Sequence, residues 1–182
     1  MFVNNLKLFF RATDSNNLPV TVQIRPTVNA IPSSDYWYPE SVVSKYPSEI
    51  NVSENPTFDD STTYTQFDFE FPVYLKPGLY SIVVLSDSPE YTLWVAEKGA
   101  LTTKNEFVDK QPYMGTLYKS QNSMEYVPIL NEDMMFVIDR CVFSTTPATF
   151  YFQNAGVGST YYIDKLRLEH NALIPSQGIT TL

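Results

Sequence analysis

Residues 65–71, TQFDFEF, carry the clearest secondary-structure signal in the chain. Its three phenylalanines, Phe67, Phe69 and Phe71, alternate with polar side chains. Because successive side chains of a strand point to opposite faces of a sheet, this alternation predicts a strand with one buried face and one solvated face. We therefore expect all three rings to lie in a hydrophobic core.

Strand-like segments separated by turn residues surround this stretch on both sides. A KPG turn leads into LYSIVVLSD (79–87), a continuous apolar run typical of a central sandwich strand, and SPE leads into YTLWVAEKG (91–99). Nearer the start, residues 2–12 and 19–28 form two further candidate strands. Strand-like segments thus alternate with turns, and no long segment has the apolar periodicity of a helix. This pattern predicts an all-β fold, an antiparallel β-sandwich or jelly roll with little helix.

Two regions are expected to add only short strands. Residues 29–60 contain several prolines, which exclude a long helix and allow edge strands such as one at residues 48–53. Residues 111–143 read as a hairpin, in which residues 115–119 form one strand and residues 134–143 the return strand.

The chain is predicted to divide near residue 143. Residues 1–143 are expected to form the β-sandwich domain, and residues 144–182 a C-terminal β extension. The extension contains two strand-like pieces, at 149–153 and 160–168, and a lone two-stranded hairpin is marginally stable in water. We therefore expect residues 144–182 to act as an assembly arm that docks on a neighbouring chain by strand addition.

Composition excludes several classes of partner. The chain has 182 residues, with 20 Asp and Glu against 12 Lys and Arg, and a formal net charge of −8. Such an acidic chain is repelled by phosphate and by anionic membrane surfaces, and no segment is long enough to span a bilayer, so we expect neither nucleic acid nor membrane as a partner. Cys141 is the only cysteine, which excludes an intrachain disulfide, and we expect it to be a buried apolar residue.

Few residues suggest catalysis. His170 is the only histidine, and we interpret it as a solvated residue of the C-terminal segment. The acid pairs Asp59-Asp60 and Glu132-Asp133 lie in turn-like surroundings, where we expect both to be solvated; on a strand, adjacent side chains would face opposite ways and form no catalytic dyad.

A calcium loop is conceivable at TDSNN (13–17), because Asp14 and Asn16 place oxygen atoms at alternate positions. The glycine and the terminal glutamate of an EF-hand loop are missing. We therefore expect no metal and no cofactor.

One aromatic cluster suggests ligand binding. Tyr36, Trp37 and Tyr38 follow one another in a proline-rich loop, beside Asp35 and Glu40. Flat rings next to carboxylates stack on sugars and bind their hydroxyls. The alternative, which we favour, is that the rings cover one end of the sandwich or pack on a neighbouring chain.

Three segments resemble a known module. In chain order they are LPVTVQIRP, then PVYLKPGLYSIVVLSDSPEYTLWVAEKG, then QPYMGTLYKSQNSMEYVPILNEDMMFVIDR. Together they resemble a β-sandwich module of tailed-phage virion proteins, in particular large structural proteins of contractile-tailed phages, including cyanobacterial ones. The resemblance covers about residues 2 to 143, and its most specific patterns are PVYLxxGxYxxVVLS and QPYxGxLYKSQNS. After the SQN turn, this chain has Met124-Glu125-Tyr126 where the family typically has Thr-Trp.

The resemblance implies a non-enzymatic module of the tail, baseplate or fibre region, which binds other virion proteins and copies of itself after synthesis in the host cytoplasm. Similar jelly-roll pieces also occur in secreted bacterial proteins. Two alternatives stay open: a carbohydrate-binding module that recognises a host surface glycan through Tyr36, Trp37 and Tyr38, and a depolymerase, which would need an acid pair meeting across strands.

Overall fold

The computed structural model describes residues 1–102, 105–109, 115–121 and 125–144. Met1–Cys141 forms one compact unit, and Val142–Leu182 is a separate unit, most of which lies outside the described residues. The predicted strands at 149–153 and 160–168 therefore lie outside the described residues as well.

The described residues are all-β, as predicted, and their only helical elements are two single turns of 3-10 helix, Pro39–Ser41 and Pro47–Glu49. The strands are, in chain order, β1 (Phe2–Leu8), β2 (Phe10–Ala12), β3 (Val20–Val28), β4 (Ile31–Pro32), β5 (Val43–Lys45), β6 (Thr65–Tyr74), β7 (Tyr80–Ser86), β8 (Thr92–Leu93), β9 (Val95–Glu97), β10 (Leu117–Lys119), β11 (Val127–Ile129), β12 (Glu132–Met134) and β13 (Phe136–Arg140).

Two antiparallel sheets enclose the core. The first has the order β13-β1-β6, and in the second β3 pairs with β7 along one edge and with β4 and β5 along the other. Apolar side chains of both sheets meet in one buried cluster, which includes Leu6, Leu8, Phe10, Val20, Val22, Ile24, Phe67, Phe69 and Val73. The predicted antiparallel β-sandwich is thus confirmed, whereas the jelly-roll variant is not.

The alternation in β6 is confirmed for Phe67 and Phe69, which are buried, but it is wrong for Phe71, whose residue surface is 62% exposed. Between the pairs Asn5↔Asp68 and Val3↔Val73, β1 advances by two residues (3 to 5) and β6 by five (68 to 73). The surplus residues form a bulge that contains Pro72, which has no N–H to donate to the ladder. The bulge directs Phe71 outward, and burial resumes at Val73.

Two predicted strand positions are also wrong. The apolar run at 79–87 is not central: within the described residues β7 pairs only with β3, and β3 is the strand with neighbours on both edges. Residues 48–53 form a 3-10 turn and a single bridge at Val52 instead of an edge strand, because Pro47 begins the turn with its fixed φ.

The predicted hairpin within 111–143 has a different return strand. β10 pairs with β11, whereas β13 pairs with β1 at the start of the chain. β12, which lies between β11 and β13, pairs with β9. The residues that follow β10 therefore supply strands to three separate pairings.

Candidate functional site

Two hydrogen bonds fix the aromatic loop to the central strand β3, and a third lies within the loop. The N–H of Tyr38 donates to the carbonyl of Ile24 over 3.0 Å, and the N–H of Ile24 donates to Ser41 Oγ over 2.7 Å. Ser41 Oγ donates in turn to the carbonyl of Tyr38 over 2.7 Å. Because Ile24 lies on the edge of β3 between its pairings with β5 and β4, these bonds satisfy backbone groups that would otherwise be unpaired.

The three consecutive aromatic rings of this loop differ in exposure. Tyr38 packs against the core, with its ring centroid 5.9 Å from that of Tyr80, and burial is the main cause that raises the pKa of Tyr38. Tyr36 and Trp37 are 53% and 44% exposed. The rings of Tyr36 and Tyr38 meet at 79°, so the three rings form no single flat platform. Only Tyr36 and Trp37 are available to a ligand or partner.

A groove lies next to this loop. Its volume is about 550 Å³, within the range of ligand sites, and it is open to solvent. One wall is the chain from the 3-10 turn Pro39–Ser41 into β5, and the other is the bulged part of β6. We call it the Phe71 groove, lined by Pro39, Glu40, Val42, Val43, Ser44, Asp68, Glu70 and Phe71.

The Phe71 groove combines an exposed ring with negative charge. Glu40, Asp68 and Glu70 line it, and among the described residues no lysine or arginine lies within 4.0 Å of their carboxylates. Asp68 accepts a hydrogen bond of 2.7 Å from the side-chain amide of Gln66. The groove therefore offers apolar contact beside uncompensated carboxylates, a combination that suits a cationic or hydroxyl-rich ligand.

The candidate calcium loop is occupied by internal hydrogen bonds. The Asp14 carboxylate accepts bonds of 2.7 Å from the backbone N–H groups of Asn16 and Leu18, and another bond from the hydroxyl of Ser88. These donors lower the pKa of Asp14, that of Ser88 most strongly. Because N–H groups point at the oxygens that a cation would need, Asp14 closes a turn. Across the described residues, no group of three or more His, Cys, Asp or Glu side chains is arranged to hold a metal ion.

The acid pairs and the cysteine differ in how well their predicted exposure agrees with the structure. Asp60 accepts hydrogen bonds from the backbone and hydroxyl of Thr62 within an exposed turn, as the interpretation of a solvated residue requires. The surroundings of Glu132-Asp133 were predicted wrongly, since these residues begin β12 and both are half-buried. Cys141 is only partly buried, because it follows the last residue of β13. His170 lies outside the described residues.

The strands after residue 88 have no buried interior of their own. From residue 89 onward, no described residue is fully buried. The pairs β9–β12 and β10–β11 are two-stranded ribbons, and five apolar residues on them or in their connections are at least 40% exposed, whereas Leu117, Ile129 and Met134 are half-buried. The five exposed residues are Val95, Leu101, Phe107, Val127 and Leu130.

The aromatic loop is recognisable in the sequence, whereas the Phe71 groove was not predicted. Pro72, directly after the alternating phenylalanines, was the signal that the ladder would break there.

Among the described residues there is no helix long and apolar enough to cross a membrane. No protein-family model, no curated protein and no solved structure matches this chain.

Proposed function

We propose that this chain is a non-enzymatic structural module of a tailed-phage virion, in the tail, baseplate or fibre region, and that it acts by binding other virion proteins and copies of itself. The observation that carries the assembly role is the exposed apolar surface of the ribbons β9–β12 and β10–β11. The virion setting comes from the sequence resemblance of residues 2–143.

Each of these ribbons consists of two strands, with no third strand paired to it among the described residues. A two-stranded ribbon is marginally stable in water unless a further strand or a packed face supports it. Here Val127 and Leu130 are 60% and 75% exposed. Burying such side chains against another protein contributes roughly 25 cal/mol for each Å² of apolar surface removed from water. Association would therefore cover apolar surface that the described residues leave exposed.

The experiment is an incorporation assay in phage-infected cells. The double variant Val127→Lys/Leu130→Lys should be excluded from purified particles, because two charges would have to be desolvated at the contact. Leu79→Lys changes an equally exposed apolar residue in the turn before β7 and should be incorporated like the wild type. Absence of the wild-type chain from particles, or normal incorporation of the double variant, would contradict the proposal.

Glycan binding is the second candidate function, and the exposure of Tyr36 and Trp37 favours it. A host surface glycan would stack on these two rings, while Tyr38 would hold the loop on the core. Trp37→Ala should abolish binding on a glycan array, whereas Phe58→Ala, at another exposed ring, should not. Loss of binding in both variants or in neither would contradict this candidate. Hydrolysis of a bound glycan that disappears in Glu70→Gln would instead indicate a depolymerase.

A further inference from the structure

We propose that the Phe71 groove is the acceptor for residues 160–168 of a second copy of this chain. This inference rests on the proposed assembly role and names the partner of one surface. Residues 160–168, TYYIDKLRL, lie outside the described residues.

One edge of β6 has no partner strand among the described residues. In the sheet β13-β1-β6, β6 pairs with β1 on one side, and within the described residues no strand pairs with its other side. An edge strand presents unpaired N–H and C=O groups to an incoming strand. Asp68, Glu70 and Phe71 of this edge strand line the groove.

The acidic side chains of β6 and the basic side chains of residues 160–168 have the same spacing along the chain. Asp68 and Glu70 are two positions apart on β6, and both are exposed. Lys165 and Arg167 are also two positions apart, so in a strand they share one face. Side chains on one face of a strand recur every second residue, and neighbouring strands have the same spacing. One register of residues 160–168 beside β6 would therefore place both basic side chains opposite the two carboxylates.

Exposed apolar side chains lie on both walls of the groove. Phe71 on β6 is 62% exposed, and Val42 on the opposite wall is 41% exposed. Tyr161 and Ile163 are four and two positions before Lys165, so in a strand their side chains would share a face with that of Lys165. The guanidinium of Arg167 also suits the face of an aromatic ring such as Phe71.

The test is charge reversal in the full-length chain, with self-association measured by sedimentation velocity over a range of protein concentrations. The groove variant is Asp68→Lys/Glu70→Lys, and the arm variant is Lys165→Glu/Arg167→Glu. Each alone should weaken self-association at least about tenfold, because like charges then face each other. A control variant, Asp87→Lys/Glu106→Lys, makes the same change in net charge at exposed acids outside the groove and should associate like the wild type.

Mixing the two reversed variants separates pairing from folding. The positive arm of the groove variant then meets the acidic groove of the arm variant, and the negative arm meets the reversed groove. The mixture should regain association that neither variant shows alone. A monomeric wild type, undiminished association of the reversed variants, or a mixture that stays dissociated would overturn the inference. If the arm and groove variants enter particles normally while Val127→Lys/Leu130→Lys does not, the result supports the assembly role and contradicts the contact between residues 160–168 and the Phe71 groove.

Discussion

The hydroxyl of Ser41 accepts a hydrogen bond of 2.7 Å from the backbone N–H of Ile24. Ser41 is fully buried, and Ile24 lies on the central strand β3, where neither β4 nor β5 pairs with it. Together with the bond from the N–H of Tyr38 to the carbonyl of Ile24, this contact joins the loop that carries Tyr36 and Trp37 to the core and helps to position one wall of the Phe71 groove.

Ser41→Ala should lower the free energy of unfolding by about 1–3 kcal/mol, because it leaves the buried N–H of Ile24 without an acceptor. Urea denaturation gives the value. Ser48→Ala, an exposed serine in the second 3-10 turn, is the matched control and should change stability by less than about 0.5 kcal/mol. Equal effects of the two changes would show that the Ser41 bond does not stabilise the fold.

The bulge in β6 predicts opposite behaviour for two phenylalanines two positions apart. Phe69→Ala should destabilise by about 3–5 kcal/mol, because it opens a cavity in the core. Phe71→Ala should cost less than about 1 kcal/mol, because that ring is exposed to solvent. Thermal and urea denaturation of both variants provide the comparison, and a large loss from Phe71→Ala would contradict the outward orientation of the ring.

Ala30→Gly should stabilise the protein. Asn29 and Ala30 connect β3 to β4 with φ of 51° and 66°, and alanine is strained in this left-handed region, by roughly 1–2 kcal/mol. The greater freedom of glycine in the unfolded chain offsets part of the gain, which leaves a net stabilisation of roughly 0.5 kcal/mol.

The control for this change is Ala96→Gly in the exposed strand β9, which should destabilise by about 0.5–1 kcal/mol. Denaturation midpoints of the two variants should therefore move in opposite directions. A lower midpoint for Ala30→Gly would indicate that the alanine methyl group makes contacts that outweigh the strain.

Acid stability should depend on Asp14. Its pKa is lowered in the folded state, first by the hydrogen bond from Ser88, against the opposing effect of burial. The lowered pKa contributes stability that is present above the ordinary aspartate pKa of about 3.9 and is lost as the pH falls through the lower folded value. Asp14→Asn should flatten this part of the curve of stability against pH, measured by urea denaturation between pH 7 and pH 2. A variant curve parallel to that of the wild type would exclude Asp14 as the group responsible.

Calcium should not stabilise the folded chain, because the Asp14 carboxylate is already occupied by N–H and O–H donors. The melting temperature should be the same in EDTA and in millimolar calcium, since only a ligand that binds the native state raises it. A calcium-dependent rise that disappears in Asp14→Asn would show that the loop opens to bind the ion.

Local patterns in the sequence were sufficient for the fold class. The alternation at Phe67 and Phe69, the strand β3 and the low helix content follow from side-chain periodicity, turn residues and proline, which act over a few neighbouring positions. The division of the chain near residue 143, the assembly arm and the virion role stay predictions.

Only the tertiary structure decided which residues meet. β13 pairs with β1 from the opposite end of Met1–Cys141, and no local pattern specifies a partner so distant in sequence. The orientations of two aromatic side chains also depend on tertiary structure. Phe71 points outward because of the register between β1 and β6, and Tyr38 packs inward beside Tyr80. Register and packing are properties of the assembled sheets, because shifting a strand by one residue moves every side chain to the other face.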